Sequence, residues 1–169
     1  MAVSCSRALS PAHREQARRA AIGPLLKGAL QDLGLQEHGL GCRLTTATAV
    51  QRLNRRFADS DSPTDVLAFP AADLVPGSGF RLPPDGPGGL GDIVIAIPIA
   101  LEQAGRLGGD PQAELRLLAM HGLLHLLGHD HQDPEDAERM TQATRQLLAR
   151  DAARRGLLPP PVPSLRPRT

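Results

Sequence analysis

The hydrophobic positions settle into a helical rhythm after Ser10-Pro11, an N-cap serine followed by proline at the first helical position. Leu25, Leu26, Ala29, Leu30 and Leu33 then recur at three- and four-residue spacing, so a helical region is expected to about Leu33, interrupted at Gly23-Pro24. Residues 42–46 read as a short strand. Thr48 with Gln51 predicts a capping box for a helix ending near Phe57. Val66 to Phe69 reads as a strand between the turn residues Ser62-Pro63 and Pro70. The apolar run from Ile93 to Ile97 is the strongest strand signal, with the composition of a strand buried on both faces. A short helix is expected from about Ile99 to Leu107. Asp110-Pro111 opens another that Gly128 can end. Asp133-Pro134-Glu135-Asp136 opens a third, its acidic first turn suited to the helix dipole, with Ala137, Met140, Thr144, Leu147 and Leu148 on its inner face.

Between these elements, residues 70 to 91 are dense in proline and glycine and read as a long surface loop. Helices and short strands interleave, which predicts an α/β or α+β domain with a small sheet. One domain is expected over residues 1–155, followed by a proline-rich, extended and disordered tail over 156–169.

Composition narrows the function classes. A chain of 169 residues is long enough to bury a core without staples. The formal charge of +1 argues against a basic clamp over the whole surface, and an aromatic share of 2%, with neither Trp nor Tyr, argues against a broad base-stacking platform. Charge is nevertheless segregated: arginines recur at 14–19, 52–56 and 145–155, and acidic residues concentrate at 59–65 and 130–138. A local phosphate-contacting patch, including Arg43, Arg52, Arg55 and Arg56, is compatible with that pattern. Cys5 and Cys42 are too isolated for a disulfide framework and read as reduced thiols filling the core. No apolar stretch approaches the ~20 residues of a membrane span, and the first residues lack a signal-peptide core, so a cytoplasmic protein is expected.

The candidate chemistry lies in a histidine cluster. Four of the six histidines fall within His121-Gly-Leu-Leu-His125-Leu-Leu-Gly-His129-Asp130-His131. His121 and His125 are one helical turn apart, so their imidazoles can meet one metal ion. Geometry alone leaves the third ligand open. A helix continuing past Gly128 would keep His129 on the same face, whereas a break at Gly128 would let His131 close a three-histidine site with an open fourth position, the catalytic pattern of zinc. The spacing also matches the metzincin protease pattern, but the residue after the first histidine is Gly122 where those enzymes carry their general-base glutamate, which disfavours a peptidase. Ligand imidazoles must be neutral, so metal binding is expected to fade below about pH 6.

The segment His-Gly-Leu-Leu-His-Leu-Leu-Gly-His-Asp-His at 121–131 resembles the signature of the YbeY family of bacterial endoribonucleases and rRNA maturation factors. Leu53-Asn54 through Phe57, followed by Asp61-Ser-Pro-Thr-Asp-Val-Leu-Ala-Phe-Pro70, resembles a second family block, and Leu90-Gly-Asp-Ile-Val-Ile95 resembles a third. The resemblance implies a small mixed β-sheet surrounded by helices, with His121, His125 and His131 as metal ligands. It implies metal-dependent cleavage of single-stranded RNA, associated with small-subunit rRNA maturation and ribosome quality control. Zinc is the metal it implies, one ion per chain, though three-histidine sites also accept nickel or copper. Ribosomal proteins are possible partners.

One departure stands out. The family block carries an arginine associated with catalysis immediately after the aromatic residue, and here that position is Ala58. Arg55 and Arg56 are the candidates to supply its charge. Asp130 and Asp92 are candidates to orient ligand imidazoles; the alternatives are a cap for Asp130, a turn for Asp92, and a strand-launching turn for Thr64-Asp65. Ala58 keeps open a non-catalytic, metal-binding ribosome-assembly factor. A metal-dependent hydrolase of another substrate is a third class.

Overall fold

The structure, a computed structural model, describes residues 1–57, 61–71, 88–129 and 133–162. Its elements run β1 (Ala2–Cys5), α1 (Pro11–Ala20), α2 (Ile22–Asp32), β2 (Gly39–Thr45), α3 (Ala47–Phe57), β3 (Val66–Pro70), β4 (Gly89–Ala96), α4 (Ile97–Arg106), α5 (Pro111–Leu126) and α6 (Pro134–Arg154). The four strands form one mixed sheet in the order β1-β2-β4-β3. β1 and β4 flank β2 in parallel, and β3 closes the edge antiparallel to β4.

Side-chain alternation divides the sheet between two helical layers. Ile93 and Ile95, with Cys42, Leu44 and Ala68, face the main core, which includes residues of α1, α2, α5 and α6. Val94 and Ala96, with Leu67 and Phe69, face Val50 and Leu53 of α3. The central strand β4 is therefore buried on both faces, as its composition predicts. α5 lies in the middle of the helical layer, and its buried residues point in nearly every direction around its axis. Buried Ala137, Met140, Thr144, Leu147 and Leu148 form the inner face of α6 as the spacing predicts. No helix among the described residues is long and apolar enough to cross a membrane.

Several boundaries differ from expectation. Ser10 caps α1, its Oγ accepting from His13 N at 3.2 Å, but the helical region breaks at Ala21 (φ 51°) and not at Gly23-Pro24. Pro24 sits in the first turn of α2, where its missing N–H has no intrahelical acceptor to lose. Thr46, not Thr48, caps α3, its Oγ1 accepting from Ala49 N at 3.3 Å; the chain turns into the helix directly after β2, leaving Thr48 inside it. α4 starts at Ile97, with Pro98 in its first turn, so the apolar run expected as strand ends in helix. β1 carries no sequence signal because all four residues are exposed and pairing with β2 defines it. Cys42 is buried, but Cys5 is exposed and does not fill the core. Most of the expected 70–91 loop and residues 163–169 of the expected tail lie outside the described residues. Nearer its start, the tail touches the body: Arg145 donates to the Val162 carbonyl at 3.3 Å.

Candidate metal centre

The site is built at the C-terminal end of α5. Asp110 fixes the start of that helix, accepting from Gln112 N and Ala113 N. Gly128 ends it: with φ at 83° its N–H bonds to the His125 carbonyl, and the His129 N–H reaches back to the Leu124 carbonyl, both at 3.0 Å. This paired closure is a Schellman motif, and the left-handed residue it needs is the glycine the sequence provides. The helix therefore stops before His129, whose backbone serves as the closing donor.

His121 and His125 stand one turn apart with their Nε2 atoms 3.1 Å from each other and ring planes at 88°. They share an open cleft of about 270 Å³ with Val66, Leu67, Ala68, Pro70 and Gly122. The cleft thus runs between α5 and the edge strand β3. Two nitrogens bound to one tetrahedral zinc at ordinary bond lengths would lie roughly 3.3 Å apart, so the pair fits one ion with little adjustment. The carbonyl end of α5 favours a cation there as well. Among the described residues no group of three or more His, Cys, Asp or Glu side chains assembles around one point. His131 and Asp130, two further expected site residues, lie outside the described residues.

The remaining expected residues sit elsewhere. Arg55 Nε and Nη2 donate to Asp61 Oδ1 at 2.8 and 2.6 Å. The Arg56 guanidinium lies 5.2 Å from the centre of the Phe57 ring. Neither arginine lines the cleft; Ala58 lies outside the described residues. Asp92 pairs with Gly41 and Phe69 inside β4, so alternation places it on the α3 side of the sheet, away from the histidines. It is neither a turn residue nor an orienting group for His121 or His125. Asp65 launches β3: its Oδ1 accepts from Val66 N at 2.8 Å and from Thr64 Oγ1 at 3.2 Å, while its carbonyl accepts from Ala96 N at 2.7 Å.

Asn54 explains part of the second sequence block. Buried on α3, it donates to the Ser62 carbonyl at 2.8 Å, and Gln51 donates to the Asp61 carbonyl at 2.9 Å, so α3 holds the approach to β3. A residue the sequence did not single out is Glu114, two helical turns before His121. Burial, and then the charge of Asp65, push its carboxyl above the ordinary glutamate value. A lone glutamate in a first helical turn carries no signal beyond a favourable dipole, because its neighbour Asp65 comes from a distant part of the chain.

Known proteins carry the same arrangement of sequence. The family model described as Endoribonuclease YbeY matches residues 10–151. A protein named Endoribonuclease YbeY from Synechococcus is 47% identical over 127 residues, covering 71% of this chain and 74% of that protein. One of the same name from Myxococcus xanthus is 44% identical over 119 residues, covering 70% of this chain but only 38% of the longer relative. The solution structure of a Thermotoga maritima protein superposes over 92% of both chains with a TM-score of 0.54 at 20% identity, which supports the fold alone. With the family model spanning every helix from α1 to most of α6, and with the paired histidines inside that span, the chain belongs to the YbeY endoribonuclease family.

Proposed function

We propose that the chain is a metal-dependent endoribonuclease that cuts single-stranded RNA in the cytoplasm, acting in small-subunit rRNA 3′-end maturation and ribosome quality control. Small-subunit rRNA is the proposed substrate, and ribosomal proteins are proposed partners. The observation that carries this reading is the convergence of two Nε2 atoms to 3.1 Å on the wall of an open cleft. His121, His125 and His131 are the proposed ligands and zinc the proposed metal, with nickel or copper the other ions such a donor set takes. When bound, the ion supplies Lewis acidity toward a phosphoryl oxygen and acidifies a water.

The chain's own residues supply orientation. Close packing at Gly122 holds α5 against the sheet, so the imidazoles enter the cleft from a rigid wall. Val66, Leu67, Ala68 and Pro70 line the other side, and β3, the edge strand among the described residues, offers its outer backbone groups to a bound strand. Asp130 is proposed to orient a ligand imidazole, and Arg55 or Arg56 to replace the charge missing at Ala58. The ties of Arg55 to Asp61 and of Arg56 to Phe57 favour the second reading, a metal-binding ribosome-assembly factor that does not cut RNA. Incubating metal-loaded protein with single-stranded RNA beside a His125→Ala variant separates the two. Cleavage by the first alone is the expected result, and equal outcomes would leave the assembly-factor reading.

A further inference from the structure

Aromatic residues are so rare in this chain that their placement carries information. There are three phenylalanines, and two of them, Phe57 and Phe69, stand together: their ring centroids are 5.4 Å apart with the planes at 69°. Phe69 belongs to the small core under α3, packed with Val50, Val94 and Ala96. Phe57, the last residue of α3, is 58% exposed even with Phe69 and Arg56 against it. An exposed phenylalanine gains little from folding and has apolar area left to bury against a ligand, and the core does not need it: the apolar face of α3 is completed by Val50 and Leu53.

The surroundings define what would cover it. The Arg56 guanidinium is 5.2 Å from the ring centre, giving a planar cation beside an aromatic face. Arg52, one turn earlier, is also exposed on α3, and Arg43 is exposed on β2, on the α3 side of the sheet where it pairs with Val94. A flat apolar ring with the Arg56 guanidinium against it matches a nucleobase attached to a phosphate: the ring stacks on the base and the cation meets the backbone. Phe69, the partner of Phe57, lies next to Pro70 on β3, and Pro70 lines the histidine cleft. One edge strand therefore separates the exposed ring from the paired imidazoles.

We propose that Phe57, with Arg56, is a stacking site for one unpaired base of the RNA strand whose backbone passes over the β3 edge into the cleft. This rests on the ribonuclease reading above and adds how single strands are chosen. A base in a duplex already stacks on its neighbours and cannot cover the ring, so the site admits RNA only where a base is free. With one such ring among the described residues, selection is for strandedness and not for sequence.

The test is a binding cycle with the full metal-loaded chain and a short single-stranded 2′-O-methyl oligonucleotide, read by fluorescence anisotropy. Phe57→Leu keeps an apolar residue at the helix end and should weaken binding about tenfold, whereas Phe57→Tyr should retain it. An abasic site moved along the oligonucleotide should reproduce the loss at one position in the wild type and add nothing in Phe57→Leu. Matching helical circular dichroism of the variants rules out unfolding as the cause. Equal affinity of Phe57→Leu and wild type, or an abasic penalty of the same size in both, would overturn the proposal. Cleavage of single-stranded RNA by the wild type is scored separately: its absence would overturn the nuclease reading, while the binding cycle alone decides the stacking site.

Discussion

A Cβ placed on Gly122 would lie 2.7 Å from Cγ2 of Ile93, inside the closest approach that side chains make. The helix that carries the histidines thus meets the central strand at a point with room for a hydrogen and nothing larger. The position after His121 thus faces Ile93, and a glutamate side chain would have no space there.

Gly122→Ala is therefore expected to push α5 away from β4. Ile93 is fully buried and its Cγ2 sits on a β-branched carbon that cannot swing aside. The strain should cost about 1–3 kcal/mol of stability and weaken metal binding, because the imidazoles move with the helix. Combining it with Ile93→Ala should restore part of the metal affinity although Ile93→Ala alone is destabilising. Urea titration and metal titration of the two single variants and the double variant measure the coupling.

Much of this site was legible in the sequence because its parts are local. The i, i+4 spacing of His121 and His125 and the break at Gly128 depend on backbone geometry over a few residues, and both take the predicted form. The sheet was legible where burial is double-sided, at β4, and illegible at β1, where every residue is exposed and only the partner strand defines it. Asp92 shows the other failure. Its sequence neighbourhood suits a turn or a site, but strand alternation, fixed by pairing with Phe69 and Gly41, turns it to the opposite face. The engagements of Arg55 with Asp61 and of Glu114 with Asp65 likewise required knowing which segments meet.

The third ligand has its own test. His129 spends its backbone N–H on closing α5, and its side chain is not among those lining the cleft. His129→Ala should keep its metal, while His125→Ala and His131→Ala should lose it. Elemental analysis of the purified variants checks this, and metal loss from His129→Ala with retention by His131→Ala would reverse the assignment.

The two thiols should react very differently. Cys42 is buried in β2 and its thiol is pushed up to about 12, first by burial and then by the charge of Asp92, so it holds almost no thiolate at neutral pH. Cys5 is exposed on the edge strand. A thiol reagent at pH 8 should modify Cys5 alone in the native protein and both cysteines in denaturant. Rapid native labelling of Cys42 would mean that β2 opens readily.

A buried ion pair ties the helical layer together behind the site. Arg116 of α5 pairs with Asp151 of α6, their side chains 8% and 6% exposed, and Arg116 also donates to the Ala20 carbonyl at the end of α1 at 2.9 Å. Asp151→Ala should cost about 3–5 kcal/mol, because it strands a buried guanidinium that, among the described residues, keeps the Ala20 carbonyl, and Arg155 loses Asp151 as well. Replacing both residues, Arg116→Met with Asp151→Leu, should cost much less, since no buried unpaired charge is left behind and Arg155, 42% exposed, is solvated. Thermal or urea denaturation of the single and double variants gives the comparison.

Glu114 supplies a pH dependence of defined sign. It sits in the first turn of α5, where the helix dipole favours its charge, yet half-burial and the nearby Asp65 outweigh the dipole and raise its pKa. A carboxyl with a raised folded-state pKa binds more protons in the native than in the unfolded chain, so its contribution to stability falls as pH rises. The fall begins near the unfolded value of roughly 4.3 and is complete above the raised folded value. Glu114→Gln removes the charge and keeps the shape. It should match the wild type in stability near pH 3.5 and exceed it at pH 7, by less than about 1 kcal/mol because the group is half open to solvent. Asp65→Asn should narrow that difference by removing the second cause of the shift. Urea midpoints at the two pH values decide the matter: a wild type more stable than Glu114→Gln at pH 7 would mean that the ionised carboxylate is held by a favourable partner instead of being opposed by Asp65.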